Sequence, residues 1–235
     1  MKKNFSIIGL AGFVSKKHIQ AIKDTNNELT SGMDLHDNVG FLDSNYPNCN
    51  FFKNYERYER YINKYSKNID YLTICSPNYL HDTHVRLGIT NDIHVICEKP
   101  LVINYRNLKN LKKIEKKYNK KINCILQLRL HKETKKLIKR KNKIENIDIT
   151  YISPRGKWYF ESWKGDPKKS GGIETNIGIH LFDLLFYIFG EYKNLKVFYR
   201  SASISSGILN FGNTKVRWFL SIDKSNLDYF KKKRN

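Results

Sequence analysis

The stretch Phe5-Ser-Ile-Ile-Gly9-Leu-Ala-Gly12-Phe-Val14-Ser15 decides how the chain is read. Its first half is an apolar run without strict polar alternation, the pattern of a strand covered on both faces of a parallel sheet. The run breaks at glycine and a helical segment follows from Ser15. A glycine-rich strand-to-helix turn lets a dinucleotide pyrophosphate approach the backbone and meet the positive end of the helix. The spacing departs from the usual fingerprint, because Ala11 stands at the second glycine position and Gly12 follows at once. Taken alone, the motif is equally a tight structural turn.

Working outward, short β-rich apolar runs recur at Asp70–Cys75, His94–Cys97 and Ile122–Leu126. Amphipathic stretches lie between the runs, at His18–Lys23, Tyr55–Tyr65, about Asn78 to Thr90, and about Tyr105 to Tyr118. Strands alternating with helices imply βαβ units and a parallel sheet with right-handed crossovers. The pattern changes after about Gln127. A helix over Lys132–Lys141 leads to a strand near Ile147–Ser153, an aromatic and basic loop at Arg155–Lys169, and an apolar helix at Thr175–Phe189 with Gly190 as its C-cap. Three β-like segments then follow in series, Leu195–Tyr199, Ala202–Phe211 and Thr214–Ile222, as in an antiparallel meander. The expectation is an α/β Rossmann dinucleotide-binding domain over residues 1–125, then an α+β domain with a mostly antiparallel sheet over 126–222. A short basic tail occupies 223–235.

The carboxyl edge of the expected parallel sheet collects polar groups. The second strand, around Leu29–Met33, ends at Asp34, about twenty-five residues beyond Gly9, where a carboxylate would accept both ribose hydroxyls and repel a 2′-phosphate. That favours NAD over NADP, although an ordinary strand-end turn residue is the competing reading of Asp34. Another apolar strand stops at Cys75-Ser-Pro-Asn78, ahead of Leu80-His81; Asn78 can serve a ligand, an N-cap or both. The next strand runs into Cys97-Glu98-Lys99-Pro100-Leu101, placing a lysine at the same edge. A lysine held against a nicotinamide ring can donate to a substrate hydroxyl or carbonyl, and desolvation would bring its pKa into a useful range.

Its expected partner lies in Gly171-Gly-Ile-Glu-Thr-Asn176-Ile-Gly-Ile-His180-Leu-Phe-Asp183. Asn176 and His180 are four apart and share one face of a helix. A histidine is suited to take a hydroxyl proton, because its pKa lies near working pH. A lone histidine on an apolar helix is more often a core residue; the Gly-Gly lead-in and Asn176 argue for chemistry.

Composition bounds the remaining choices. There are 43 Lys+Arg against 22 Asp+Glu, a formal net charge of +21, which admits nucleic acid as a partner. The lysines come with many asparagines, tyrosines and isoleucines, and they are spread around helices such as Asn107–Lys121 and Lys132–Lys143 without forming a stripe. Composition bias and an anionic small substrate therefore explain the charge better than nucleic acid. No apolar stretch is long enough for a bilayer, and the first residues lack a signal-peptide pattern, so a cytoplasmic protein with no membrane partner is expected. The cysteines Cys49, Cys75, Cys97 and Cys124 have neither disulfide nor metal-like spacing, so no metal is expected.

Glu98-Lys99-Pro100 together with Gly171-Gly172 and Asn176-xxx-His180 resembles the Gfo/Idh/MocA oxidoreductase family. The blocks Cys75-Ser-Pro-Asn-Tyr-Leu-His81, Gln127-Leu-Arg-Leu-His131, Ser153-x-Arg-Gly-Lys-Trp-Tyr159 and Ser162-Trp-Lys-Gly-Asp166 are similar to a branch acting on UDP-N-acetylglucosaminuronic acid in bacterial surface-polysaccharide synthesis. The resemblance implies oxidation of the sugar 3-hydroxyl by NAD, with Lys99, His180 and Asn176 as catalytic residues. Asn176 stands where many family members carry Asp, and the branch shares the Asn. It implies cofactor contacts from Gly9, Ala11, Gly12, Phe13, Val14, Asp34, Ser76, Pro77, Asn78, His81, Glu98, Lys99 and Gln127. The substrate's diphosphate and carboxylate would call on Arg129, His131, Arg155, Lys157 and Lys164, and flat surfaces on Trp158, Tyr159 and Trp163. A 2-oxoacid for cofactor recycling and a homo-oligomer belong to the same set of expectations. The resemblance ends near Ile222, whereas family members continue, so a truncated C-terminus with an incomplete second sheet and an exposed edge is expected.

Overall fold

The computed structural model describes residues 1–232, which divide into two compact units, Met1–Ile125 and the described residues from Leu126 onward. In the first, β1 (Asn4–Ile8), α1 (Ser15–Asp24), β2 (Glu28–Met33), α2 (Phe41–Asn45), β3 (Asn50–Phe52), α3 (Tyr55–Tyr65), β4 (Tyr71–Ile74), α4 (His81–Thr90), β5 (His94–Cys97), α5 (Tyr105–Tyr118) and β6 (Ile122–Cys124) follow one another. The six strands pair in the order β3-β2-β1-β4-β5-β6, all parallel.

Both faces of this sheet are covered, which explains the unalternating apolar runs. Adjacent residues of β1 serve opposite cores. Ile8 packs with Tyr58 and Ile62 of α3, Val85 and Ile89 of α4 and Leu111 of α5. Ile7 packs with Ile22 of α1 and with Leu42 and Tyr46. The chain direction across the sheet reverses between β1 and β4, which opens a crevice at their carboxyl ends, the usual ligand position of such sheets.

The second unit holds α6 (Lys132–Arg140), β7 (Asn146–Ile152), α7 (Lys157–Glu161), α8 (Pro167–Ser170), α9 (Ile179–Phe189), β8 (Asn194–Arg200), β9 (Ile204–Phe211), β10 (Thr214–Ser221) and α10 (Lys224–Lys232). β8, β9 and β10 form the expected antiparallel meander, and β7 adds parallel to β10, giving a mixed sheet in the order β7-β10-β9-β8. Leu185 of α9, with Ile173, packs on Leu209, Val216, Trp218 and Leu220 of the sheet. β8 is an edge strand, and every one of its residues is exposed.

Three local expectations change. The segment expected as a loop at Arg155–Lys169 contains two short helices, α7 and α8, the second started by Asp166, whose side chain caps Lys168 N–H, and by Pro167 at its first turn. The helix over Thr175–Phe189 begins as a π-helical turn, Glu174–Gly178, before α9. The segment expected as a basic tail from Asp223 is helical over Lys224–Lys232; the rest of that run, 233–235, lies outside the described residues.

Candidate active site

In the first unit the polar groups gather at the carboxyl ends of four adjacent strands, β2, β1, β4 and β5. The turn after β1 requires glycine. Gly9 has φ +85°, and a Cβ there would lie 2.6 Å from the Cys75 carbonyl carbon and 2.8 Å from Ser76 N. At Gly12 a Cβ would come within 3.0 Å of Gly9 O. Ser15 closes the turn by donating from Oγ to Leu10 O at 2.6 Å, and α1 begins there. Asp34 stands beside this turn: Oδ2 accepts from Ala11 N–H and Oδ1 from His36 N–H, both at 2.9 Å. The expected ribose carboxylate and the glycine turn are thus one hydrogen-bonded assembly. Phe13 is largely exposed on the same turn and Val14 lies at the helix cap.

After β4, Ser76 and Asn78 are buried. Asn78 opens a 3-10 turn whose cap is Pro77, so the N-cap reading of Asn78 does not hold. Ser76 Oγ bonds with His84 Nδ1 at 2.8 Å, and burial pushes the His84 pKa down to about 4. His81 corrects a second expectation. It is buried, with Nδ1 at 2.7 Å from Pro100 O and Nε2 at 2.7 Å from Ser76 O. Both ring nitrogens serve the protein, so this residue ties the Ser76 and Lys99–Pro100 segments together and is not itself presented to a cofactor. Burial lowers its pKa, against the pull of those two carbonyls and of Glu98.

Glu98 and Lys99 follow β5, and the Lys99–Pro100 peptide is cis. His18, a residue of α1 not singled out in the sequence, places Nε2 2.9 Å from Glu98 Oε1, each side chain only 15% exposed. Burial works to raise the Glu98 carboxyl, but the hydrogen bond and charge of His18, with the Lys99 backbone N–H and charge, outweigh it and hold the carboxyl low. An ionised Glu98 therefore sits directly before Lys99. No motif marks His18, because its partner is eighty residues away.

In the second unit Asn176 lies in the π-helical turn and His180 in the first turn of α9. Four residues make close to one turn in either geometry, so the two still share a face. Asn176 Nδ2 donates to Tyr159 Oη at 3.0 Å. Tyr159 is 3% exposed, which removes it as an open stacking surface and makes it a support for Asn176. Trp158 is exposed, and Lys164 Nζ lies 5.1 Å from its ring centre and 5.7 Å from that of Trp163. Burial, then the charge of Arg155, lowers the Lys164 pKa. Arg155 and Lys157 are exposed.

Two residues expected to meet substrate are occupied otherwise. Arg129, in the 3-10 turn Gln127–Leu130, forms a two-pronged pair with Asp183 of α9, with Nε at 2.8 Å from Oδ2 and Nη2 on Oδ1, and lies over the Tyr187 ring. Its charge is met within the protein. His131 is the N-cap of α6, where Nδ1 accepts from Glu133 N–H at 3.3 Å. Among the described residues no cluster of His, Cys, Asp and Glu could hold a metal ion, and no helix is long and apolar enough to cross a membrane.

Residues 3–125 match the NAD-binding Rossmann fold of the Gfo/Idh/MocA oxidoreductase family, and residues 135–224 match that family's C-terminal alpha/beta domain. Among solved structures, the WlbA (WbpB) dehydrogenase of Thermus thermophilus in complex with NAD and UDP-GlcNAcA is 36% identical, with a TM-score of 0.92 over 99% of this chain and 78% of that one. The same enzyme with NAD and alpha-ketoglutarate is 38% identical, with a TM-score of 0.90 over 95% of this chain and 74% of that one. A glucose-6-phosphate 3-dehydrogenase of Bacillus subtilis is 26% identical over 80% of this chain, which spans about half (54%) of that enzyme's length.

Proposed function

The chain belongs to the Gfo/Idh/MocA oxidoreductase family, and from that premise we propose that it oxidises the 3-hydroxyl of a UDP-N-acetylglucosaminuronic acid to the 3-keto sugar nucleotide, with NAD as acceptor. The observation that carries this reading is the 36–38% identity, over nearly the whole chain, to the Thermus thermophilus dehydrogenase crystallised with NAD and UDP-GlcNAcA.

The residues of the first unit fit the cofactor. The tight glycine turn ahead of α1 would take the pyrophosphate at the helix N-terminus, and Asp34 would take the adenosine ribose hydroxyls with the acceptor capacity left on its two oxygens. The Ser76–Asn78 segment and Lys99 would border the nicotinamide end. When bound, NAD supplies the acceptor for the hydride leaving C3. The chain's own task is the proton: the His180 imidazole takes it from the 3-hydroxyl, and Lys99 Nζ serves as a hydrogen-bond donor to the substrate. Glu98, held ionised by His18, keeps negative charge beside Lys99. Asn176, steadied by Tyr159, orients the sugar ring. Lys164, Arg155 and Lys157 remain as cations for the diphosphate and carboxylate.

Recycling of the reduced cofactor by a 2-oxoacid is part of the proposal, supported by the alpha-ketoglutarate complex of the same neighbour. So are a homo-oligomeric state, a role in surface-polysaccharide (O-antigen) synthesis and a cytoplasmic setting. The B. subtilis relative keeps a sugar phosphate in view as the competing substrate. The test is NADH formation with UDP-GlcNAcA, UDP-GlcNAc, glucose 6-phosphate and myo-inositol in parallel. UDP-GlcNAcA should give the highest kcat/KM. A higher value for glucose 6-phosphate would replace the substrate, and no NADH with any of the four would reject the proposal.

A further inference from the structure

On the second unit a cleft of about 330 Å³, at the small end of ligand sites, is lined by Tyr159, Lys164, Gly172, Ile173, Glu174 and Arg200, among others. Its floor carries a carboxylate. Glu174 is only 16% exposed, and its Oε1 accepts from Arg200 Nε at 2.6 Å and from Ser205 Oγ at 2.6 Å. Burial works to raise the Glu174 carboxyl, but the bonds from Arg200 and Ser205, a bond from its own backbone N–H and the Arg200 charge outweigh it and hold the carboxyl low. The second oxygen lies beside Gly172. A Cβ placed on Gly172 would have Glu174 Oε2, at 3.4 Å, as its only neighbour within 4 Å. A side chain at residue 172 would press on this oxygen, and glycine, with φ +78°, keeps that approach clear.

An ionised carboxylate accepts hydrogen bonds and donates none, and it repels phosphate and uronate groups. The anionic parts of a UDP-uronic acid therefore lie away from Glu174, and this end of the cleft suits the part that is neutral and carries an N–H. Arg200 uses Nε on Glu174, so its Nη groups remain as donors alongside the carboxylate. An acceptor flanked by donors matches the uracil imide, in which N3–H lies between two carbonyl oxygens. Pro167 and Ala202, both exposed, supply apolar wall for a flat base. Lys164, also lining the cleft, supplies a cation for the diphosphate that follows the base. Tyr159 also carries the hydroxyl bonded to Asn176, so one aromatic ring separates the cleft from a proposed catalytic residue.

We propose that this cleft is the uracil subsite of the nucleotide-sugar substrate, with Glu174 Oε2 accepting the N3–H of the base and Arg200 donating to a flanking carbonyl. The inference rests on the function proposed above and names the residues that read the nucleotide. Cytosine has a lone pair at N3, which Glu174 would face unfavourably, so the site should select uridine over cytidine nucleotides.

The test is calorimetric titration of the full chain, saturated with NAD, with UDP-GlcNAcA, UDP, CDP and N3-methyl-UDP. UDP should bind at least about tenfold more tightly than CDP and than N3-methyl-UDP. In Glu174→Gln, whose amide can donate to a cytosine N3, the UDP-to-CDP ratio should fall to about one or below. In Glu174→Ala, UDP should weaken about tenfold with no gain for CDP. Equal binding of UDP and N3-methyl-UDP by the unaltered protein overturns the subsite without any variant having to fold. An unchanged base preference in a folded Glu174→Gln protein does the same. UDP-GlcNAcA binding without base preference rejects the subsite and leaves the proposed function standing; no binding of UDP-GlcNAcA or UDP rejects both.

Discussion

The carboxylate of Asp34 accepts a hydrogen bond from the backbone N–H of Ala11, so the end of β2 and the glycine turn after β1 are held as one unit. The same carboxylate also accepts from His36 N–H. Replacing Asp34 by Ala removes both bonds and the proposed ribose acceptor. NAD affinity, followed by fluorescence titration, should fall at least about tenfold, while NADP loses the repulsion against its 2′-phosphate. Unchanged NAD affinity in Asp34→Ala would confine the residue to a turn-forming role.

The buried histidine pair behind the Ser76–Asn78 segment makes the fold acid-sensitive. Burial pushes His84 down to about 4 from an ordinary 6.5. Between those values the unfolded chain binds a proton that the folded chain refuses. Stability is therefore full above pH 6.5 and is lost as the pH falls towards 4, by on the order of 3 kcal/mol for this group. His81, also lowered by burial, acts in the same direction. Thermal melting followed against pH should show this slope, and His84→Asn should flatten it. The same slope in His84→Asn would assign the acid sensitivity to other groups.

Arg129 is predicted from its sequence block to meet substrate, but the structure gives it to Asp183. Arg129→Met should therefore lower the melting temperature, with a cost of roughly 1–2 kcal/mol given its partial exposure, and leave KM for the nucleotide sugar within about twofold. A tenfold rise in KM at unchanged stability would return Arg129 to the substrate site.

His18 holds Glu98 ionised beside Lys99. Removing the imidazole leaves burial to act on the carboxyl, so His18→Ala should move the acidic limb of the kcat profile to higher pH, with NAD affinity changed less than about threefold. An unmoved profile would mean that the pair only supports the packing of α1.

These cases show where sequence reading succeeds and where it stops. The strand ending at Gly9 and the helix Tyr105–Tyr118, capped by Asn104, are legible because apolar periodicity, a breaker and a cap agree within a few residues. β3 is only three residues long and sits at a sheet edge, so it carries no usable period. The helices α7 and α8 are too short to show one. The position of Asp34 follows from strand order, and the structure adds its bond to Ala11. The pairs Arg129–Asp183, His18–Glu98 and Glu174–Arg200 join residues 54, 80 and 26 positions apart, and only the folded units reveal which cations are taken. Tyr159 looks like a surface aromatic among basic residues; burial and its bond to Asn176 give it a different task.

The proposed reaction is tested most directly with UDP-GlcNAcA carrying deuterium at C3 of the sugar. NADH formation should slow by a primary isotope effect, and the deuterium should be found on the nicotinamide ring of the product. NADH formed without deuterium, the label staying on the sugar, would contradict oxidation at the 3-hydroxyl.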